Sequence, residues 1–350
     1  MRIFKHLITY VIACSLPAEL ILLQQIKDKM KAAVMYSEGL PKYIDLDDPT
    51  AQNSNEIVVS VKAVALKHFD KARAAGKHYS DEKSAEGKVP GGDGVCLLPD
   101  GKRVYGVGIS GTLAEKAIID KTRMVAIPEG LDDATAAALP NAVIGAAMGL
   151  RFKANMQPCD VVVINGATGF TGRIAVQIAK YYGAKRIIAT GRNEQSLHDL
   201  LALGADDIIL ITGDYAHFKT QFAAIHTETP VDVIIDYLWG TTAQLLLAGL
   251  MGKGSFTHKT RFVSVGSMAG DAIQLTAANL RSVNLELTGS GLGAWPKEQL
   301  NLLFTEILPE MFLLAAHGKL SVETTTVTLK DIANVWALDV PGGQRLVVTM

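Results

Sequence analysis

Two patterns of apolar residues divide the chain. Up to about residue 128 the apolar runs are short and strand-like: AAVMY (32–36), EIVVSVKAVAL (56–66), RVYGVGI (103–109) and EKAIID (115–120). Turn sequences such as PGGDG (90–94) and PDGK (99–102) separate them. This half reads as a mostly β unit. The stretch DDATAAALPNAVIGAAMGLR (132–151) has helical character, with Asp132 or Asp133 placed to cap it. From Cys159 strands and helices alternate. The strands are VVVIN (161–165), RIIAT (186–190), DDIIL (206–210), VDVIID (231–236) and FVSVG (262–266). Between them lie TGRIAVQIAKYYG (171–183), NEQSLHDLLALG (193–204) and TTAQLLLAGLM (241–251). Continuous apolar strands joined by helices predict an α/β fold with a parallel sheet buried on both faces. A long helical pattern (297–320) and strand-like SVETTTVTL (321–329) and QRLVVTM (344–350) end the chain.

Composition adds little to this picture. The chain has 350 residues, 49% hydrophobic and 20% charged, enough for two domains. Its 34 basic and 35 acidic residues give no sign of nucleic-acid or membrane-surface binding. Cys14, Cys96 and Cys159 form no CxxC pair, so neither a disulfide framework nor a structural zinc site is expected, and a reducing cytoplasm fits. Residues 1–29 pair Arg2 and Lys5 with a short apolar run ending at Cys14, like a weak signal or lipoprotein segment. A start assigned too early or a loose helical extension explains them better, since nothing downstream looks secreted.

The chemistry starts at GATGFTG (166–172). Gly166, Gly169 and Gly172 follow a strand and open a helix. The first permits a sharp turn, the second lets a pyrophosphate approach the backbone, and the third lets helix and strand pack closely. The helix amides, including those of Thr168, Phe170 and Thr171, then face the phosphates. The next strand ends Thr190-Gly191-Arg192, with no acid at the tip for a ribose 2′-hydroxyl, and Glu194 lies two residues further on. A guanidinium at Arg192 suits a 2′-phosphate, so the expected cofactor is NADPH.

These pieces, in this order, resemble the medium-chain dehydrogenase/reductase superfamily, in particular its zinc-independent quinone oxidoreductase branch. KAAVMYSEG, VKAVALKHFDKARAAG, VPGGDGVCLLPDGKRVYG, AAALPNAVIGAAM, VIIDYLWG and FVSVGS carry the resemblance from Met30 to Met350. It implies a GroES-like β-barrel domain (30–150), a Rossmann domain (151–290) and an end (291–350) returning to the first, behind the extension 1–29. Zinc alcohol dehydrogenases of the superfamily place a cysteine near the segment holding Lys67 and His68, and a histidine–glutamate pair in the region that reads Val89-Pro90-Gly91-Gly92-Asp93-Gly94 here. They also carry a four-cysteine lobe that is absent from this sequence. The resemblance therefore implies no zinc. Many quinone oxidoreductases have Asn at the position of Lys67 and Tyr at that of Ala72. Lys67 is a candidate for stabilising an oxyanion or touching the nicotinamide ribose, and a surface lysine is the alternative. Asp70 matches an acidic family position and could equally bond a turn. The resemblance brings Asn141 toward the nicotinamide carboxamide, although a helix-capping role is also open. It puts Val265, Gly266 and Ser267 at the end of a strand beside the ligand crevice. Asp236 and Tyr237 end the preceding strand and could line the pocket, or Asp236 could serve the backbone.

The implied activity is NADPH-dependent hydride transfer to a quinone or α,β-unsaturated carbonyl in the interdomain cleft. A non-catalytic NADPH sensor, or a structural role for the nucleotide, stays open because the common Asn and Tyr are missing. The small-molecule acceptor is unspecified, no stable membrane association is expected, and a homodimer through the edge LELTGSGLG (285–293) is implied.

Overall fold

The computed structural model describes residues 28–36, 39–68, 70–71, 87–251, 258–338 and 340–350. The signal-like segment, apart from its last two residues, and Ala72 lie outside the described residues.

The first half is a small antiparallel barrel. Strands β1 (Lys29–Val34) and β2 (Lys42–Asp47) form a separate hairpin-like pair. β3 (Glu56–Ala65), β4 (Asp93–Leu97), β5 (Arg103–Gly108) and β6 (Lys116–Ala126) pair in sequence, and β6 returns to β3 to close the ring. Along β3 the pleat is written in the residues: Val59, Val61 and Ala63 are buried, while Ser60 and Lys62 between them are exposed. The sequence pattern missed β2, whose KYIDLD is mostly polar, and β4, which begins inside the PGGDG turn sequence.

Helix α1 (Asp133–Val143) starts where expected, with the Asp132 carboxylate accepting from Thr135 N. It does not run on as a plain α-helix: residues Ile144–Lys153 wind as a π-helix. The second half alternates strands and helices: β7 (Val161–Asn165), α2 (Phe170–Tyr181), β8 (Arg186–Gly191), α3 (Glu194–Ala202), β9 (Asp207–Leu210), α4 (Tyr215–Glu228), β10 (Val233–Asp236), α5 (Gly240–Gly249), β11 (Thr260–Ser264), a short helix (Ala277–Ser282) and β12 (Leu285–Gly289). The six strands are all parallel, in the order β12-β11-β10-β7-β8-β9. This is the doubly wound order of a dinucleotide-binding sheet. Helix α4 escaped the sequence reading because only Phe218 and Phe222 are buried and its apolar stripe is thin. β11 stops at Ser264, so Val265, Gly266 and Ser267 lie in the loop beyond it rather than ending the strand.

The chain then returns. Residues Lys297–Ala316 are continuously helical, partly π-wound, and the last strands β13 (Glu323–Thr328) and β14 (Gln344–Thr349) join the barrel beside β3. The 297–316 helix is long and apolar enough to cross a membrane by length and composition alone. Its inner face instead packs into a core shared by both halves, which runs from Ala63, Val95 and Tyr105 of the barrel to Ile164, Ile174 and Val263 around the parallel sheet. Phe312 is fully buried there and meets the Tyr105 ring edge-on, with centroids 6.2 Å apart.

A shared core predicts that Phe312→Ala lowers stability by about 3–5 kcal/mol. Its neighbour Leu313, which is 48% exposed, should tolerate alanine within about 0.5 kcal/mol. Urea titration of both variants checks this, and equal midpoints would refute the shared core.

Candidate functional site

β7 and β10 are neighbours in the sheet, yet the chain leaves them toward opposite edges. The crevice outside their carboxyl ends is where doubly wound sheets hold ligands. The loop after β7 is the glycine turn. Gly166 has φ +87°, which an L side chain rarely adopts. Gly172 lies so close beneath the turn that a Cβ would stand 2.5 Å from the Gly166 carbonyl oxygen. Gly169 is the N-cap of α2 and supplies no side-chain acceptor to the first-turn amides. The space around its Cα is open: a methyl group there would meet nothing nearer than the Gly166 carbonyl oxygen, 3.8 Å away. An uncapped helix N-terminus under an open backbone is a fit for an anionic phosphate.

A buried polar network holds this turn from below. Thr190 Oγ1, at the tip of β8, donates to Asn165 Oδ1 at 2.6 Å and accepts from Gly166 N at 3.3 Å. Asn165 Nδ2 donates to Asp236 Oδ1 at 2.7 Å and to Thr242 Oγ1 at 3.1 Å. Asp236 also accepts the amides of Leu238 and Trp239 at 3.1 Å each. Burial pushes its carboxyl above the usual range, while those donors pull it back. Asp236 is fully buried, so of its two expected roles the structure shows the backbone-serving one. Trp239, with φ 56° and ψ −153°, is one of three non-glycine residues with positive φ among the described residues. The Tyr237 hydroxyl donates to Gly145 O at 3.1 Å within the π-helical segment.

Thr168, Phe170, Thr171, Gly191, Val265 and Gly266 gather around this edge. Gly191 packs against Thr168, since a Cβ there would meet its Cγ2 at 2.5 Å. Gly145, one turn past the half-buried Asn141, faces both Thr171 and Val265. The Val265 and Gly266 amides donate back to Asp236 O, at 2.8 and 3.2 Å. Arg192 is exposed at the rim, as are Glu194 in the first turn of α3 and Ser267.

Lys67 and Asp70 come together on the barrel side, and neither is a surface residue: each is 4% exposed. The Lys67 ammonium lies 2.6 Å from Asp93 Oδ1 and 3.1 Å from Asp70 Oδ2. Asp70 Oδ2 also accepts the Lys67 amide at 3.1 Å, so its turn-bonding role is real alongside its pairing role. Burial would lower the lysine, but the two carboxylates outweigh it and hold Lys67 above its ordinary value. The two carboxylates take two of its three N–H donors. Burial beside the Asp93 charge raises the Tyr105 phenol strongly. Arg345, 9% exposed on β14, lies in the field of both aspartates. His68 is exposed.

Asp93, Tyr105 and Arg345 escaped the sequence reading as site residues. Asp93 sits in a sequence that reads as a turn, and Arg345 lies 279 residues from Leu66, whose carbonyl it touches. The one available signal was Asp93 in the segment beside Gly92, where the resemblance pointed to a metal pair. Zinc does not fit these residues. Gly92 offers no donor, an ammonium stands between the two carboxylates, and no cluster of three His, Cys, Asp or Glu suited to a metal occurs among the described residues.

Comparison with known proteins agrees with the fold. The family model described as zinc-binding dehydrogenase matches residues 171–306. Across 91% of this chain and 99% of its own length, the "Probable NADPH-dependent quinone reductase tdiC" of Emericella nidulans is 24% identical. A mycobacterial quinone oxidoreductase structure superposes with a TM-score of 0.79 at 18% identity, covering 92% of this chain and all of its own. A mycobacterial structure complexed with NADPH gives 0.73, with the same identity and the same coverage of both chains. With the barrel, the 3-2-1-4-5-6 sheet and the returning chain end, these likenesses show that the chain has the fold of the medium-chain dehydrogenase/reductase superfamily.

Proposed function

We propose that the protein is a zinc-independent reductase that uses NADPH to reduce a quinone or an α,β-unsaturated carbonyl. The observation that carries this reading is the pairing of an open, uncapped helix N-terminus at the glycine turn with a buried ammonium that keeps one donor unspent among the described residues. The name of the Emericella nidulans relative, a probable NADPH-dependent quinone reductase, supports it. Gly166, Thr168, Gly169, Phe170, Thr171 and Gly172 would hold the pyrophosphate through the backbone. Gly191 and Arg192 would meet the 2′-phosphate. Asn141, Val265, Gly266 and Ser267 would border the nicotinamide end. A bound nicotinamide supplies the hydride.

The chain's own residues do the rest. The parallel-sheet edge fixes the turn through Asn165 and Asp236. Lys67 holds a positive charge and a proton at Nζ, where they can neutralise charge arising on an acceptor oxygen. Asp70 and Asp93 keep that amine protonated at neutral pH and anchor its orientation. A conjugated acceptor needs no more than this, because the incoming electron pair is already dispersed. A homodimer through the outer edge of β12 and a cytoplasmic setting belong to the same proposal.

The first test is NADPH oxidation against a panel of quinones and enones, with NADH and a chelator as controls. Turnover with NADPH that survives the chelator is the expected result. Tight NADPH binding with no turnover on any acceptor would move the reading to a nucleotide sensor.

Arg192→Glu replaces a phosphate-pairing guanidinium with a like charge. It should weaken NADPH by about 10- to 100-fold and NADH by far less, as fluorescence titration would show. Equal effects on the two nucleotides would remove Arg192 from the argument.

Lys67→Met should lower kcat by about 100-fold or more, the ordinary weight of a positioned acid. Because it leaves two buried carboxylates with one fewer cation, its fold needs checking by circular dichroism. Lys67→Arg keeps the charge but removes the releasable proton. If it restores kcat, the ammonium acts by charge alone; if it stays slow in a folded protein, the proton is what counts.

A further inference from the structure

Arg345 is a guanidinium with little to hold. Its carbon lies 4.6 Å from the centroid of the Phe170 ring. Its one hydrogen bond among the described residues is a long one, Nη1 to Leu66 O at 3.4 Å, and its buried Nε has no partner. Phe170 is the first residue of α2, directly after the Gly169 cap. On its other side Arg345 shares the field of Asp70 and Asp93 with Lys67. The chain leading to it touches the same helix: Gly342 approaches Thr168 O, and Gly343 presses on the Arg173 side chain. One weakly bonded charge therefore stands between the two halves of the site.

We propose that Arg345 is a positioning residue that couples the glycine turn to the Lys67 ion cluster through its stack on Phe170. The proposal rests on the reading of the turn and of Lys67 given above. The physical argument is a competition. Asp70 and Asp93 carry two negative charges, and Lys67 and Arg345 are the two cations placed to balance them. The ring draws the guanidinium toward α2 and leaves the carboxylates to Lys67. Without the ring, the guanidinium turns toward the carboxylates and weakens their hold on the ammonium. An anion seated at the α2 N-terminus draws the guanidinium further toward the helix and tightens that hold. In this way occupation of the turn secures the charge of the ammonium.

The test reads Lys67 directly, without turnover. Protein carrying ¹³C-labelled lysine gives a Lys67 ε-carbon signal, assigned by its loss in Lys67→Met, and its alkaline titration is followed by NMR. In the cofactor-free protein, Phe170→Leu should shift the Lys67 midpoint down by about half a unit or more, the weight of an ordinary cation–π contact. Arg345→Met removes a competing cation and should shift it up. A destabilised but uncoupled protein would show a lower melting temperature and an unmoved midpoint. Unmoved midpoints in both folded variants would overturn the proposal. In a second arm, NADPH is added to the wild type and should raise the midpoint, a response lost in Arg345→Met. If NADPH does not bind the wild type, the functional reading fails while the cofactor-free arm still decides the coupling. If it binds and the response persists in Arg345→Met, the coupling is wrong.

Discussion

Two buried carboxylates set the terms for this molecule. Asp70 is almost wholly out of water and Asp93 is half-buried, and an uncompensated charge in the interior costs several kcal/mol. Each must find a cation, and the barrel strands alone supply only Lys67. The second, Arg345, comes from the far end of the chain, on β14, which pairs with β3. The return of the chain end to the first half therefore brings a second cation into the field of these carboxylates, besides its packing role. It also fixes where the end of the chain can lie, because β14 must present Arg345 beside Leu66 and over Phe170.

The second constraint sits on the other side of the crevice. A parallel sheet ends in unpaired backbone groups at its carboxyl edge, and a glycine turn cannot hold itself rigid. Asn165 and Asp236 solve both problems with one network. They tie the tips of β7, β8 and β10 together and receive the amides of the loop that leaves β10. The strained backbone of Trp239 is held by those same amide bonds, which is the over-determination that such strain requires. A polar cluster this well satisfied rigidifies what it touches. The turn can then present its amides without reorganising.

Most of the fold was legible because it depends on local pattern. β7 to β11 announce themselves as apolar runs, and the glycine spacing fixes the turn whatever surrounds it. The failures have physical causes. β2 and α4 bury little, so their hydrophobic signal is weak. The π-winding after Val143, where Gly145 faces Thr171 and Val265, was not read from the sequence. Half of the ion cluster was named from the sequence, Lys67 and Asp70, because they fall within one segment. Asp93 and Arg345 were not, since long-range charge pairing leaves no trace in spacing. Asp236 shows the reverse case: its position was foreseen, and only burial and three donors could choose between its two roles.

The nature of the cation in the cleft bears on the chemistry. A divalent metal brings two charges and can polarise an alcohol oxygen, but it carries no proton. The ammonium brings one charge and a proton that can leave. One charge is a poor tool for stripping hydride from an alcohol, where the oxygen must become an alkoxide. It suits the opposite direction, in which a conjugated oxygen gains electron density and then needs a proton. Under the proposed function, a lysine held by two aspartates therefore suits a conjugated acceptor better than an alcohol, and the preference comes from the residue itself rather than from the fold around it.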